Sequence, residues 1–303
     1  PAKRFSKQNL GGNRLNKLYG RLFLMPGLLT LLAIIIFPLF FTIALTFSNW
    51  SVANAGFNWV GGRNWSDLVS NERFWDAMMR LIPLSFLTVA IQYVLGFAIA
   101  LIAWRGIAAR RFFRVLWLVP MMTTPVVMSV VWKSIFNESV GPVNDILVKL
   151  GMDPVPWLSS TAPAMFAIIM AEVWQWTPFM FLLLLAGLLS LPKEPFLAAS
   201  IDGAGPLRTF FKVTLPMMAP VSIGAIIIRL IEASKIFDTV YAMTNGGPGS
   251  STETPTYYIY LTGLRNFDLA NGATMSITYL LVFIALLTVI GQVLTRLSKP
   301  KGI

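Results

Sequence analysis

Six apolar stretches, each long enough to cross a lipid bilayer as a helix, recur along this 303-residue chain, at 22–47, 77–104, 112–136, 162–191, 217–243 and 273–294. A backbone that crosses hydrocarbon must satisfy its own N–H and C=O groups. Stretches of this kind therefore fold as helices, and the expected class is an all-α integral membrane protein with six transmembrane helices. Composition agrees, with 56% hydrophobic and 12% charged residues. The chain has no Cys and no His, which removes disulfides, thiol nucleophiles, imidazole bases and the usual transition-metal sites. No two intramembrane acids are spaced as a paired-carboxylate site, so no enzymatic activity is expected. The net charge of +11 comes from cations clustered beside the apolar stretches. With no separate basic domain, nucleic acid is not an expected partner.

Those cations set an orientation. With the N-terminus inside, the inner segments hold Lys3, Arg4, Lys7, Arg14, Lys17 and Arg21, then Arg105, Arg110, Arg111 and Arg114, then Lys193, Arg208 and Lys212, and last Arg296, Lys299 and Lys301. That is 16 of the 24 cations, and the bias predicts cytoplasmic termini. The organisation that follows is a cytoplasmic tail at 1–21, a membrane domain at 22–296 with a cytoplasmic loop at 191–216, and a second tail at 297–303. The first apolar stretch is too long for the core of a cleavable signal peptide. Trp50, Trp59, Trp65, Trp75 and Trp157 fall in the outer segments, where an indole suits the membrane boundary.

The inner segment Leu191 to Pro220, LPKEPFLAASIDGAGPLRTFFKVTLPMMAP, is too polar to span a bilayer yet keeps many apolar side chains. Pro192 and Pro195 suit a helix start, Asp202-Gly203 suits its break, and a second short helix is expected from near Pro206 to just before Pro216. Phe196, Leu197, Ala198, Ala199 and Ile201 occupy several faces of the first helix. The parent chain cannot cover all of them, and a partner protein is the simplest cover.

Polar residues inside the apolar stretches are the other candidates. Glu172 lies roughly 15 Å into the fourth stretch at helical rise, near mid-bilayer, where a carboxylate needs a partner or a wet cavity. Gln175 shares its face and Trp174 and Trp176 flank it, while Pro178 cannot donate to the Trp174 carbonyl and favours a kink. Two readings stand side by side: a cavity wall for a polyhydroxylated solute, and an interhelical pair that holds the bundle. In the fifth stretch Arg229, Glu232, Lys235 and Asp238 recur every three residues with alternating sign. They form either a self-compensating ladder or, through Glu232, Lys235 or Asp238, a lining of the solute path, with Asp238, Tyr241 and Asn245 at its outer mouth. The glycines after Asn245 do not make a phosphate loop, because the Gly-Lys-Ser/Thr ending is missing.

The inner segment resembles the EAA loop of bacterial ABC importer permeases through Ala198, Ala199, Asp202, Gly203, Ala204, Leu215 and Pro216. Leu197 stands where that family usually has glutamate, and Glu194 lies about one turn earlier. AEVWQWTPFMFLLLLAGL resembles the corresponding helix of carbohydrate-type permeases. A second block, with Asp238, Gly246, Gly247, Pro248, Gly249, Ser251, Thr252, Glu253 and Thr254, resembles the sugar-permease subfamily. The resemblance implies a non-catalytic permease subunit of the bacterial inner membrane, importing a sugar, sugar derivative or polyol by alternating access. It also implies cytoplasmic coupling helices between the fourth and fifth spans. It further implies two ATPase subunits that bind ATP and Mg, a second and different permease subunit, and an extracytoplasmic solute-binding protein, with no cofactor in this chain. Two alternatives remain: an ABC permease for a non-carbohydrate solute, and an ion-coupled secondary transporter, which would leave the inner loop idle and usually shows structural repeats that are not detectable here.

Overall fold

The computed structural model describes residues 8–53, 56–105 and 110–298. Lys3, Arg4 and Lys7 of the N-terminal tail, and Lys299 and Lys301 of the C-terminal one, lie outside the described residues. Among those described, the regular elements are helices, and Ser48 forms an isolated antiparallel bridge with Trp59. The helices are α1 (Gln8–Leu45), α2 (Arg63–Val69), α3 (Glu72–Arg105), α4 (Arg110–Met122), α5 (Pro125–Ile135), α6 (Pro142–Lys149), α7 (Thr161–Ser190), α8 (Glu194–Ile201), α9 (Pro206–Thr209), α10 (Leu215–Ser234), α11 (Asp238–Met243), α12 (Pro255–Tyr260) and α13 (Leu269–Ser298).

Five helical segments are long and apolar enough to cross a membrane, namely Arg21–Leu45, Glu72–Trp104, Thr161–Ser190, Pro206–Ser234 and Leu269–Val293. Three expectations are corrected. The stretch expected to run unbroken over 112–136 is split into α4 and α5, because Pro125 opens α5 and drives Thr124 out of the helical region, to φ −68° and ψ 139°. The stretch expected over 217–243 ends as a regular helix at Ser234 and resumes at Asp238. The second helix of the inner segment does not stop before Pro216. It runs on through a π-helical turn at Phe210–Thr214 into α10, where Pro216 occupies a first-turn position that needs no N–H donor.

The chain divides into two compact units, residues 1–70 with 262–277, and 71–261 with 278–303. In the first, the Asn64 side-chain amide donates to the Thr46 and Ser48 carbonyls at 2.9 and 2.7 Å and fixes the end of α1 against α2. The second is organised on the pairing of α3 with α7, against which α10 also packs. The approach of α3 to α7 depends on a missing side chain: a Cβ at Gly96 would lie 3.0 Å from Met180 Cβ and 3.0 Å from the Phe181 backbone nitrogen. In the same unit the connection from α5 to α7 folds on Asn144. Its amide donates to the Glu138 and Val155 carbonyls, and its oxygen accepts from Val155 N–H and Trp157 Nε1. Hydrogen bonds from Ser159 and Leu158 hold the Glu138 carboxyl below the usual carboxylate range.

Gly96→Leu is therefore expected to overpack the α3–α7 contact and destabilise the protein by about 1–3 kcal/mol. Thermal unfolding in detergent should show the loss, while Ala98→Leu, two residues along on the exposed face, should leave the transition in place.

Candidate functional site

A guanidinium in hydrocarbon is tolerated only if its charge and its donors are met. Arg229 of α10 is 1% exposed. Its Nε donates to Gln92 Oε1 of α3 at 2.8 Å, its Nη2 donates to Glu172 Oε2 of α7 at 3.1 Å, and its Cζ lies 4.9 Å from the centre of the Trp176 ring. The second Glu172 oxygen accepts from the Thr239 hydroxyl of α11 at 2.6 Å, and the Gln92 amide donates to the Glu172 backbone carbonyl at 3.0 Å. Four helices thus converge on one buried ion pair.

This arrangement alters the ladder expected along the fifth stretch. Arg229 answers Glu172 across the bundle, not Glu232 one turn along its own helix. The rung that remains is Lys235 to Glu232 at 2.9 Å, with side chains 58% and 46% exposed. Lys235 lies one residue beyond the Pro206–Ser234 segment, so this pair stands at the end of the span. Asp238 is half-buried at the start of α11, and Tyr241 and Asn245 are exposed beyond it. The break between α10 and α11 frees carbonyls, which side chains from other elements answer. Tyr279 donates its hydroxyl to the Ser234 carbonyl at 2.7 Å, and Thr254 and Thr256 both donate to Ile236 at 2.9 and 2.8 Å. Irregular backbone at membrane depth persists only where protein or a cavity satisfies it in this way.

The four neighbouring candidates on α7 point to different surroundings. Glu172 and Trp176 meet Arg229. Gln175 is buried, its amide donating to the Thr123 carbonyl in the α4–α5 break at 3.1 Å while its oxygen has no partner. Trp174 is half-exposed and lines a groove of about 570 Å³ with Trp117, Pro120, Trp132, Pro178 and Phe181. Sequence reasoning missed Gln92 and Thr239 as members of the cluster. Gln92 had a signal, since it is the lone amide in the stretch 77–104.

The inner hairpin carries the second constellation. Helix α8 ends as expected at Asp202, with Gly203 at φ 68°. The Gly203 N–H donates to the Ser200 carbonyl at 3.2 Å and the Ala204 N–H to Ala199 at 2.9 Å, the bond pair of a Schellman stop. Phe196 packs on Trp104 with ring centres 5.4 Å apart, Phe210 packs on Phe97 at 5.6 Å, and Ala199 is buried. On the other side Leu197, Ile201, Leu207 and Phe211 are exposed by 62, 85, 75 and 61%. Glu194, Ala198, Asp202 and Pro216 are exposed as well, and Ala204 and Leu215 are half-buried. A Cβ at Gly203 would meet no atom within 4 Å, so the side of the hairpin that turns at Gly203 is open.

Residues 92–301 match a family described as binding-protein-dependent transport system inner membrane component. The trehalose/maltose transport system permease protein MalF of Thermococcus litoralis is 35% identical over 269 residues, covering 89% of this chain and 90% of that one. The sn-glycerol-3-phosphate transport system permease protein UgpA of Escherichia coli O6:K15:H31 is 36% identical over 277 residues, covering 88% and 92%. A solved bacterial ABC transporter involved in import of the acidic polysaccharide alginate contains a chain with a TM-score of 0.84 at 19% identity, covering 96% of this chain and 100% of that one, which shows a shared fold.

Because the ion pair is buried, removing one member should be worse than removing both. Arg229→Met is expected to destabilise the protein by about 3–5 kcal/mol, and Arg229→Met with Glu172→Met by distinctly less. Thermal unfolding of the three proteins in lipid nanodiscs tests the order; a double variant no more stable than the single one would show that Glu172 is not left uncompensated.

Proposed function

Since this chain belongs to the family of binding-protein-dependent transport system inner membrane components, we propose that it forms one wall of the pathway through which an ATP-driven importer carries a sugar, sugar derivative or polyol. Its apolar helices make it a multi-pass membrane protein. The wider assembly in this reading comprises a second permease, two ATPase subunits that bind ATP and Mg on the cytoplasmic side, and a solute-binding protein outside. Both termini and the inner hairpin lie in the cytoplasm, and ATP hydrolysis belongs to the partner subunits. The solute class is supported by relatives whose names specify a disaccharide system and a glycerol phosphate system.

The observation that carries the ATP-driven part is the hairpin. Leu197 and Ile201 stand four apart on α8, so they share one side of that helix, and Leu207 and Phe211 extend the exposed apolar surface beyond the Gly203 turn. Exposed side chains of this size on an ordered turn call for a protein surface to cover them. Glu194, Leu197, Ala198, Ala199, Asp202, Gly203, Ala204, Leu215 and Pro216 form or support the contact with the ATPase. At the other end of the same continuous segment stand Glu232 and Lys235, followed by Asp238, Tyr241 and Asn245, which face the path. Closure of the ATPase pair moves the hairpin, and the Pro206–Ser234 segment carries that movement to the path-facing residues. Of the two acids that an ion-coupled carrier could use, Glu172 and Asp238, Glu172 is already engaged by Arg229 and Thr239.

Gly203→Val tests this reading, because a β-branched residue at φ 68° costs about 1–2 kcal/mol of backbone strain and adds bulk to the open side. In vesicles holding the full importer, uptake should fall while hydrolysis by the ATPase continues. Unchanged uptake, together with no crosslink from Ile201→Cys to the ATPase, would sink the assignment.

A further inference from the structure

We propose that Glu253 is a positioning residue: its ion pair with Arg73 fastens residues 253–260 to α11 and so sets where α11 stands. The consequence for transport rests on the reading of α11 as part of the pathway wall. Helix α11 has six residues, too few to hold a helix by its own hydrogen bonds. Its position therefore comes from its surroundings. It packs against α5 and α7, and the chain that follows brackets both of its ends. Before it, Thr254 and Thr256 donate to the Ile236 carbonyl at 2.9 and 2.8 Å; after it, the Tyr257 hydroxyl donates to the Asn245 carbonyl at 3.0 Å. Tyr257 and Tyr260 also pack on Phe237, with ring centres 6.2 and 5.1 Å away, and on Tyr241, at 6.4 and 5.7 Å.

Glu253 stands at the head of this bracket. It is 2% exposed, and its carboxylate takes Arg73 side-on, Nε donating to Oε2 at 2.8 Å and Nη2 to Oε1. A two-point contact of this kind fixes orientation as well as distance. The Arg73 guanidinium, near the start of α3, also lies 4.9 Å from the centre of the Tyr258 ring. The stem of Glu253 closes on the turn after α11, where a Cβ at Gly246 would lie 2.6 Å from Glu253 Cγ. Arg80, about two turns further along α3, is a second cation here; its Nε reaches the Glu253 backbone carbonyl at 3.5 Å, a weak contact. Through α11 the bracket extends to the buried cluster, because Thr239 donates to Glu172. The ion pair is lopsided, with side chains 50% exposed for Arg73 and 2% for Glu253. When Glu253 loses its charge, water satisfies the guanidinium, whereas loss of Arg73 leaves a buried carboxylate uncompensated. Arg73→Gln should therefore lower the unfolding temperature more than Glu253→Gln.

The test compares the complete importer with its Glu253→Gln and Arg73→Lys variants, in nanodiscs for hydrogen exchange and in vesicles with binding protein and ATP for uptake. The vesicles meet one mixture of neutral polyols, mono- to trisaccharides, and phosphate- and sulfonate-bearing glycerols and sugars, and accumulated species are read by mass spectrometry. In Glu253→Gln the amides of 238–243 should exchange about tenfold faster, the factor that loss of a charge-assisted hydrogen bond gives, while those in the middle of α3 keep their rates. Uptake per ATP hydrolysed should fall with it, and Arg73→Lys, which keeps the charge and loses the side-on contact, should lie between the two. If Glu253→Gln fails to assemble, Glu253→Asp takes its place, with a smaller change in the same direction. Unaltered exchange at 238–243, or exchange that quickens equally along the whole chain, overturns the proposal. Faster local exchange with unchanged uptake per ATP overturns its consequence for transport. No ATP-dependent accumulation by the unaltered importer overturns the importer reading instead, and the exchange result then still decides the placement of α11.

Discussion

The second unit depends on a guanidinium held far from water. Arg229 cannot sit in the apolar interior alone, and the groups that satisfy it come from two other helices, Gln92 of α3 and Glu172 and Trp176 of α7, with Thr239 of α11 completing the carboxylate. Apolar side chains would hold these helices together at lower cost, since a buried ion pair adds little net stability over a well-packed hydrophobic substitute. What the pair adds is register. Leucine surfaces can slide past one another by a fraction of a turn, whereas hydrogen bonds near 3 Å, with both carboxylate oxygens in use, allow one alignment. The close approach at Gly96 acts in the same direction, because only one longitudinal setting places that gap opposite Met180 and Phe181.

The parts of this structure legible in the sequence are those decided locally. Five of the six expected spans were found as helices because apolar length is a property of the segment itself, and the Gly203 turn was found because only certain residues adopt its dihedrals. The interruptions were less legible. Pro125 marks the α4–α5 break, but a proline in an apolar run often begins or merely bends a helix, and the run 112–136 reads as continuous by hydropathy. The α10–α11 break has no proline or glycine at all; it persists because Tyr279, Thr254 and Thr256, distant in sequence, supply donors to its carbonyls. Arg229 shows the limit most clearly. Spacing offered it Glu232 three residues away, but burial decided otherwise, and the partner that shares its interior position is Glu172.

The same comparison separates the candidate residues into two kinds. Glu172 and Gln175 are buried, Trp176 is partly buried, and they hold α7 in place, whereas Glu232, Lys235, Tyr241 and Asn245 are exposed. Gln175 belongs to the first kind with a difference. Its amide is bonded to the Thr123 carbonyl in the break between α4 and α5, so it ties α7 to that break.

The continuity of Pro206–Ser234 links the inner hairpin to the far end of α10. The hairpin is joined to α10 through a π-helical turn and not a flexible loop, with Phe210 wedged against Phe97 and Thr214 buried beside it. In the proposed importer, a movement of the exposed apolar side chains at one end would be passed along this segment to the Glu232–Lys235 pair at the other. There the helix stops, and α11 begins at Asp238, with Thr239 donating to Glu172. The Arg229 cluster lies about one turn before that stop and anchors this end of α10 to α3 and α7, while the Glu232–Lys235 pair beside it is half-exposed.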